Sequence, residues 1–162
     1  MNKVGIALSL YDKIPHLKTN ISVIRNHWKT NNDAFISVCC NSPALIEEIR
    51  ALDVDSVVEG DNIEYVDKPS RRMRIFDCIK KSVSSCNSEF IVHFHSDAYA
   101  LDPTPILEII DHMDEKGYHI AFRGKGLDYR NPKTFAGDVD DHFLIFRNLY
   151  LDKKRLESML CK

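Results

Sequence analysis

Short apolar runs alternate along the chain with amphipathic patterns, and this alternation limits the folds that the chain can adopt. The runs VGIALSL, AFISVCC, SVVE, EFIVHFH, HIAFR and HFLIFR are typical of strands. Between the first two runs, Leu17, Ile21, Ile24 and Trp28 form one apolar stripe at helical spacing. Strands that alternate with helices predict an α/β fold with a mainly parallel sheet and helices on both faces.

Capping residues predict where several helices begin and end. Ser42 and Thr104 each precede a proline and are expected to be N-caps. Ser70 is expected to cap the helix before the run EFIVHFH. The pair Lys116 and Gly117 is expected to end the helix that follows Thr104, because glycine readily adopts the left-handed conformation found past helix ends.

Length and composition limit the class of protein. The chain has 162 residues, 44% of them hydrophobic, which is enough for one domain with its own core. Residues 1–162 are expected to form a single domain, either a minimal enzyme or one domain of a longer protein. The 22 basic and 24 acidic residues nearly balance, so no overall field favours nucleic acid. Five cysteines without metal-finger spacing indicate buried, reduced thiols.

Targeting signals are not visible in the sequence. The first residues lack the apolar run of a signal peptide, and no run is long enough to span a bilayer. We therefore expect a soluble, cytoplasmic protein without a transmembrane segment.

Polar residues follow several of the predicted strands directly. In an open parallel sheet, ligands bind outside the carboxyl ends of the strands, where the connecting loops gather. We therefore expect the residues at these ends to lie close together. They are Ser9, Leu10, Tyr11, Asn41, His95, Ser96 and Asp97.

The common nucleotide and hydrolase motifs are missing from these positions. A dinucleotide-binding fold would carry GxGxxG after its first strand, where this chain reads SLYDKIP. Neither a P-loop nor the GxSxG elbow of the serine hydrolases occurs in the sequence. These absences disfavour the commonest nucleotide-binding folds and a serine hydrolase.

The segment PSRRMRIFDCIKKSVSSCNSEFIVHFHSDA resembles the nucleotide-sugar half of GT-A glycosyltransferases, above all glycosyltransferase family two. Proteins of this kind carry an arginine-bearing helix and then an apolar strand that ends in a DxD motif. Here Glu89, Phe90 and Ile91 match the start of that strand. The triplet from His95 to Asp97 occupies the DxD position, with histidine in place of the first aspartate. The resemblance implies a GT-A-like (Rossmann-like) fold.

The resemblance also implies a metal site at His95 and Asp97, with His142 as a third ligand. A divalent metal that bridges the phosphates of a nucleotide diphosphate stabilises the charge that develops when the sugar leaves. Imidazole suits Mn²⁺ better than Mg²⁺, so Mn²⁺ is the expected cofactor and Mg²⁺ the alternative.

Nucleotide contacts are implied in the same way. Tyr11 is expected to lie against uracil, and Asn41 stands where such enzymes often use an acidic residue to bind the base. Arg71 or Arg72 is expected to pair with phosphate through bidentate hydrogen bonds. The full nucleotide-binding set is Ser9, Leu10, Tyr11, Asn41, Arg71, Arg72 and Ser96.

Each of these assignments has a plainer structural alternative. Asp97 is equally well read as a capping residue at a strand end, and Asp102 as a turn residue. The arginines of the third helix can form a solvated face. His93, which alternation places on the same face as His95, is expected to be a buried core histidine and not a ligand.

The run DYRNPKTFAGDVDDHF is expected to be a loop that holds the acceptor site and a catalytic base. Transfer with inversion needs a carboxylate that takes the proton of the acceptor hydroxyl. Asp138, Asp140 and Asp141 are the candidates, with Asp140 and Asp141 preferred. The alternative is a solvated acidic loop.

These features together predict a glycosyltransferase that moves a sugar from a UDP-sugar to an unknown glycan, lipid or protein acceptor. Two other classes stay open. A sugar nucleotidyltransferase uses a related sheet, although it usually has a Gly-rich loop where this chain reads SLYDKIP. The other is a non-catalytic nucleotide-sugar-binding module, which is compatible with the replacement of the first aspartate of the metal motif by His95.

Overall fold

The computed structural model describes residues 2–28, 34–64, 66–124 and 139–148. Every strand and helix predicted from the sequence is present, in the predicted order. The strands are β1 (Asn2–Leu10), β2 (Phe35–Cys40), β3 (Ser56–Glu59), β4 (Ser88–His95), β5 (Ile120–Gly124) and β6 (Val139–Arg147). The helices are α1 (Ile14–His27), α2 (Ile46–Arg50), α3 (Lys68–Ser84) and α4 (Thr104–Lys116), with a 3-10 turn at Pro43–Leu45 before α2.

The strands form one six-stranded sheet in the order β3-β2-β1-β4-β6-β5. β1 pairs in parallel with β2 and with β4, and β3 pairs in parallel with β2. β6 is antiparallel to both of its neighbours, β4 and β5. The predicted mainly parallel sheet is therefore confirmed. The chain leaves β1 toward β2 on one side and returns as β4 on the other, which opens a crevice at the carboxyl ends of these strands.

Helices cover both faces of the sheet, as the sequence predicts. One apolar cluster joins α1, α2 and α4 to β1 through residues such as Leu8. The cluster on the opposite face joins Ile79 and Val83 of α3 to Ala7 of β1. Since successive side chains of a strand point to opposite faces, β1 is buried on both sides, which explains its unbroken apolar run.

Two helix starts differ from the sequence prediction in their capping residue. α3 begins at Lys68, and its N-cap is Asp67, whose Oδ1 accepts the Ser70 N–H at 2.9 Å. Ser70 Oγ in turn accepts the Asp67 N–H at 2.9 Å, so Ser70 completes a capping box from inside the helix. α4 begins at Thr104 itself, with Pro103 at the N-cap position, and the Asp102 carboxylate accepts the Thr104 N–H at 2.9 Å. In both helices an upstream aspartate accepts an N–H of the first turn.

The other predicted helix ends agree more closely. Ser42 lies at the N-cap position before the 3-10 turn, although its side chain makes no cap hydrogen bond there. Gly117 ends α4 with a φ of 69°, in the left-handed region that favours glycine.

The cysteines behave as the sequence predicts wherever the structure describes them. Cys39, Cys40, Cys78 and Cys86 are buried and free, and Cys161 lies outside the described residues. Within the described ranges, no helix combines the length and the apolar character needed to cross a membrane.

Candidate functional site

The carboxyl ends of β1, β2 and β4 meet at one edge of the sheet. Ser9 on β1 is in register with His95 on β4. Beyond the strand ends, the Ser96 N–H donates to Ser9 O at 3.0 Å, and the Asn41 N–H donates to Leu10 O at 3.4 Å. The structure therefore brings together the residues that the sequence places at these strand ends.

A tight turn after β4 carries Asp97. The Ala98 N–H donates to His95 O at 2.9 Å and closes the turn. Asn20, a buried residue of α1, donates from its amide to Ala98 O at 2.8 Å and to Ser96 O at 3.4 Å. These bonds fix the backbone on both sides of Asp97, because a buried carbonyl that lost its donor would carry an unfavourable desolvation energy.

The same helix also holds the chain beyond the turn. The Trp28 indole N–H donates to Ala100 O at 3.2 Å. The Tyr99 hydroxyl lies 2.6 Å from His16 Nδ1, and the two rings are stacked. α1 is thus the element that positions the turn after β4.

Asp97 forms an ion pair with Lys13, the residue just before α1. Lys13 Nζ lies 3.0 Å from Asp97 Oδ2, and the two side chains are 55% and 40% exposed. The hydrogen bond from Lys13 lowers the pKa of Asp97, and the nearby His95 acts in the same direction more weakly. Asp97 is therefore an ionised, accessible carboxylate whose partner is a cation.

The buried amide of Asn41 lies at the end of β2. Its Nδ2 donates to Arg74 O at 3.0 Å. Its Oδ1 faces Gly60, since a Cβ built on Gly60 would lie 2.0 Å from that atom. Asn41 Oδ1 and Ser9 Oγ are both buried, and neither has a hydrogen-bond partner among the described residues. Buried polar atoms are normally paired, so these two acceptors have hydrogen-bonding capacity that the described residues leave unused.

The arginines of α3 occupy different positions relative to Tyr11. The Arg74 guanidinium carbon lies 5.4 Å from the centroid of the Tyr11 ring, within the range of a cation–π contact. Arg71 and Arg72, which the sequence nominates for phosphate binding, are exposed one turn earlier on the helix. The Leu10 side chain belongs to the core, so only its backbone can contribute to a nucleotide site.

Hydrogen bonds hold the segment after β3 against the end of β2 and against α3. The Gly60 N–H donates to Cys40 O at 2.8 Å, and the Asp61 N–H donates to Asp77 Oδ2 at 2.7 Å. Lys81 is paired with Asp61 and lies 3.5 Å from Asp77 Oδ1. Burial raises the pKa of Asp77, whereas the bond from Lys81 lowers the pKa of Asp61. These contacts hold Gly60 against the buried amide described above.

The predicted catalytic residues are strand positions, which corrects the expected loop. β6 begins at Val139, which pairs with Gly124 of β5, so Asp140, Asp141 and His142 belong to the strand. Pairing with β5 extends β6 beyond the apolar run that marked it in the sequence. The side chains of these three residues lie outside the described part of the structure.

The backbone register of β6 bears on the third predicted metal ligand. Phe94 of β4 pairs with Phe143 of β6. The pairing of these two strands ends at this pair, next to His95 on β4 and next to His142 on β6. Asp138, the remaining candidate for a base, lies outside the described residues.

The side chains at the turn offer two donor types that divalent transition metals accept. Asp97 offers a carboxylate oxygen and His95 an imidazole, a mixture that suits Mn²⁺ better than Mg²⁺. Lys13 already holds a positive charge at Asp97 Oδ2. His93, whose ring centroid is 5.7 Å from that of His95, is fully buried, as expected of a core histidine. Among the described side chains, no cluster of three or more His, Cys, Asp or Glu that could hold a metal is present.

Several residues of this edge were not identified from the sequence. Lys13, Asn20 and Gly60 belong to no motif, and their roles depend on partners far away in the chain. Arg74 does have a signal: Arg74 and Cys78 are four residues apart on α3, so they lie on one face of the helix, and Cys78 is buried against the sheet.

Comparisons with known proteins identify similar structures and no similar sequences. No family profile matches the chain, and no curated protein does. TarS from S. aureus in complex with UDP-GlcNAc has a TM-score of 0.58 and 16% identity, over 94% of this chain and 47% of that one. The mannosyltransferase PcManGT from Pyrobaculum calidifontis, in complex with GDP-Man and Mn²⁺, has a TM-score of 0.60 and 11% identity, over 94% and 46%.

A third similar structure belongs to another class of enzyme. CMP:2-keto-3-deoxy-manno-octonic acid synthetase complexed with CTP has a TM-score of 0.55 and 9% identity, over 99% of this chain and 83% of that one. The chain spans about half the length of the first two structures. At these identities the likeness concerns the fold, and the chain has the GT-A-like, Rossmann-like α/β fold that the sequence predicts.

Proposed function

We propose that this chain binds a UDP-sugar at the carboxyl edge of β1, β2 and β4 and transfers the sugar to an acceptor hydroxyl with the help of Mn²⁺. The observation that carries the proposal is the pair of buried acceptor atoms, Ser9 Oγ and Asn41 Oδ1, at the ends of adjacent strands. Structures with the same fold bind UDP-GlcNAc and GDP-Man, which supports a nucleotide sugar as the ligand.

The orientation of Asn41 favours uracil or guanine over cytosine. One Nδ2 hydrogen donates to Arg74 O at 3.0 Å, and Oδ1 is the amide atom that has no hydrogen-bond partner among the described residues, so we assign Oδ1 to the base. Uracil and guanine present a ring N–H that can donate to this oxygen. The corresponding N3 of cytosine is an acceptor and would face Oδ1 with no proton between them.

Positive charge for the diphosphate is available next to the base position. Tyr11 packs on the base or ribose, and Arg74 lies over the Tyr11 ring at 5.4 Å. The exposed Arg71 and Arg72 precede Arg74 on the same helix and supply the bidentate phosphate contact. Ser96 and the backbone of Leu10 complete the nucleotide set at the ends of β4 and β1.

Asp97 and His95 would hold the metal, with His142 as the third ligand. When bound, a divalent ion stabilises the negative charge on the departing diphosphate. Asp140 or Asp141 takes the proton of the acceptor hydroxyl while the bond from the sugar to the acceptor oxygen forms and the bond to the diphosphate breaks. The acceptor is a glycan, a lipid or a protein.

Calorimetric titration with UDP, GDP and CDP, each with Mn²⁺ and with a chelator, tests this function. UDP is expected to bind roughly tenfold or more tightly than CDP, which carries the same diphosphate, because the cytosine ring has no N–H at N3 to donate to Asn41 Oδ1. Mn²⁺ is expected to tighten UDP binding. Equal affinities for UDP and CDP would contradict the base assignment, and equal UDP affinities in Mn²⁺ and in chelator would contradict the proposed metal site.

Sugar nucleotidyl transfer is a second candidate, because the similar CTP-bound synthetase is matched over 83% of its length. Such an enzyme releases pyrophosphate from a nucleoside triphosphate and a sugar phosphate. Release of pyrophosphate by this chain would therefore identify nucleotidyl transfer and contradict the proposed sugar transfer. A non-catalytic binding module would bind UDP but would neither transfer nor hydrolyse the sugar. The single domain and the cytoplasmic location expected from the sequence stay predictions.

A further inference from the structure

The carboxylate of Asp97, a proposed metal ligand, is already paired with a cation of the protein itself. The carboxylate that would bind a divalent cation already binds the Lys13 ammonium, at 3.0 Å from Oδ2. A divalent cation bound to the same carboxylate would lie close to this ammonium, and the two positive charges would repel each other. A metal on Asp97 and Lys13 on Asp97 therefore disfavour each other.

The part of this pair that can move is Lys13. The backbone around Asp97 is fixed by Asn20, which donates to the carbonyls of Ser96 and Ala98. Lys13 lies before the first residue of α1, and its side chain is 55% exposed on a flexible four-carbon stem. The ammonium can swing out of the ion pair while the carboxylate stays in place.

We propose that Lys13 is the resident cation of this site, and that it leaves Asp97 for the donor diphosphate when the metal binds. This inference rests on the proposed function. The displaced ammonium stays close to the donor diphosphate, whose negative charge the metal also neutralises. The diphosphate therefore offers Lys13 a new anionic partner. In the free protein Lys13 competes with the metal, whereas in the complex it adds to the binding of the nucleotide. Lys13 thereby makes metal binding depend on the donor.

The experiment compares Lys13→Met with the parent and with Lys18→Met. Lys18 is a matched control because it forms a similarly exposed ion pair with Glu48, at 2.9 Å, that involves none of the proposed site residues. Mn²⁺ binding to the nucleotide-free proteins is measured by electron paramagnetic resonance of the free ion. UDP binding at saturating Mn²⁺ is measured by calorimetry. Lys13→Arg, which keeps the charge, accompanies both measurements.

Lys13→Met is expected to bind Mn²⁺ roughly three- to tenfold more tightly than the parent, as the loss of one nearby positive charge at physiological ionic strength implies. The same variant is expected to bind UDP several-fold more weakly at saturating Mn²⁺, where the parent lysine is free to meet the diphosphate, whereas Lys18→Met matches the parent in both measurements and Lys13→Arg does not gain Mn²⁺ affinity. Unchanged Mn²⁺ affinity or unchanged UDP affinity in Lys13→Met would overturn the inference while the proposed function stands. Failure of the parent to bind UDP with Mn²⁺ would overturn both.

Discussion

Replacing Gly60 by alanine is expected to damage the base site and the fold together. The added Cβ would lie 2.0 Å from Asn41 Oδ1, 2.8 Å from its Cγ and 3.1 Å from its Cα. The first two contacts require the amide to rotate away, which breaks its bond to Arg74 O. The third remains after the rotation, because it involves backbone. Overpacking of this kind costs about 1–3 kcal/mol, and the lost hydrogen bond adds about 1 kcal/mol.

The unfolding free energy of Gly60→Ala is therefore expected to fall by roughly 2–4 kcal/mol in urea denaturation. UDP affinity in Mn²⁺, measured by calorimetry, is expected to fall by roughly tenfold or more, since the displaced Asn41 amide can no longer make its proposed hydrogen bond to the base. Gly117→Ala is the control: its φ of 69° makes alanine strained, yet a Cβ there meets nothing within 4 Å. It should lose about 1 kcal/mol of stability and no UDP affinity.

A double variant separates the steric effect from other causes. Asn41→Ala removes the atoms that the new Cβ would meet first, so Gly60→Ala should cost roughly 1–2 kcal/mol less in that background. If Gly60→Ala unfolds at the urea concentration of the parent and binds UDP with parental affinity, Gly60 does not support the Asn41 amide as inferred.

Three other results are expected. Asn20→Ala should lose about 2 kcal/mol in urea denaturation, because the short bond to the part-buried Ala98 O and the long bond to the buried Ser96 O both disappear. The exposed Asn26→Ala should lose far less, and equal losses would show that the turn after β4 does not depend on the Asn20 amide. Arg71→Ala or Arg72→Ala should weaken UDP more than uridine in calorimetry, and equal losses for both ligands would exclude a phosphate contact. Finally, Lys13 lowers the pKa of Asp97 below its ordinary 3.8. Stability from that ion pair is complete above this pH and is lost as the pH falls through the lowered pKa. The cost of Lys13→Met in urea denaturation should shrink between about pH 5 and about pH 2, and a constant cost would contradict the pairing.

The sheet could be predicted because its strands are buried on both faces. Continuous apolar runs such as VGIALSL have few alternatives to a central parallel strand. Leu17, Ile21 and Ile24 fall on the buried face of α1 as expected, and Trp28 is buried at its C-cap. The helix caps were less certain, since Ser70 and Thr104 each have an aspartate two or three residues upstream that competes for the same role. Local sequence does not show which oxygen will reach the first free N–H groups.

The candidate site was predictable only where it follows a strand. Ser9, Asn41 and Asp97 were accessible to sequence reasoning because the ends of parallel strands meet at one edge. Lys13 and Gly60 were not, because the first acts through a residue 84 positions away and the second through a contact between two loops. Contacts of this kind depend on tertiary packing and leave no periodic pattern in the sequence.

Release of UDP from a UDP-sugar by the parent and by Asp97→Asn, each in Mn²⁺ and in chelator, is the most direct test of metal-assisted sugar transfer at this edge. Asparagine keeps the shape of the side chain but removes its charge, and the exposed ion pair with Lys13 contributes at most about 1 kcal/mol, so the variant should melt near the parent temperature. The parent is expected to release UDP in Mn²⁺ and to lose this activity in chelator, and Asp97→Asn is expected to be inactive in both. Release of UDP by Asp97→Asn at the parental rate would contradict the role of Asp97 as a metal ligand.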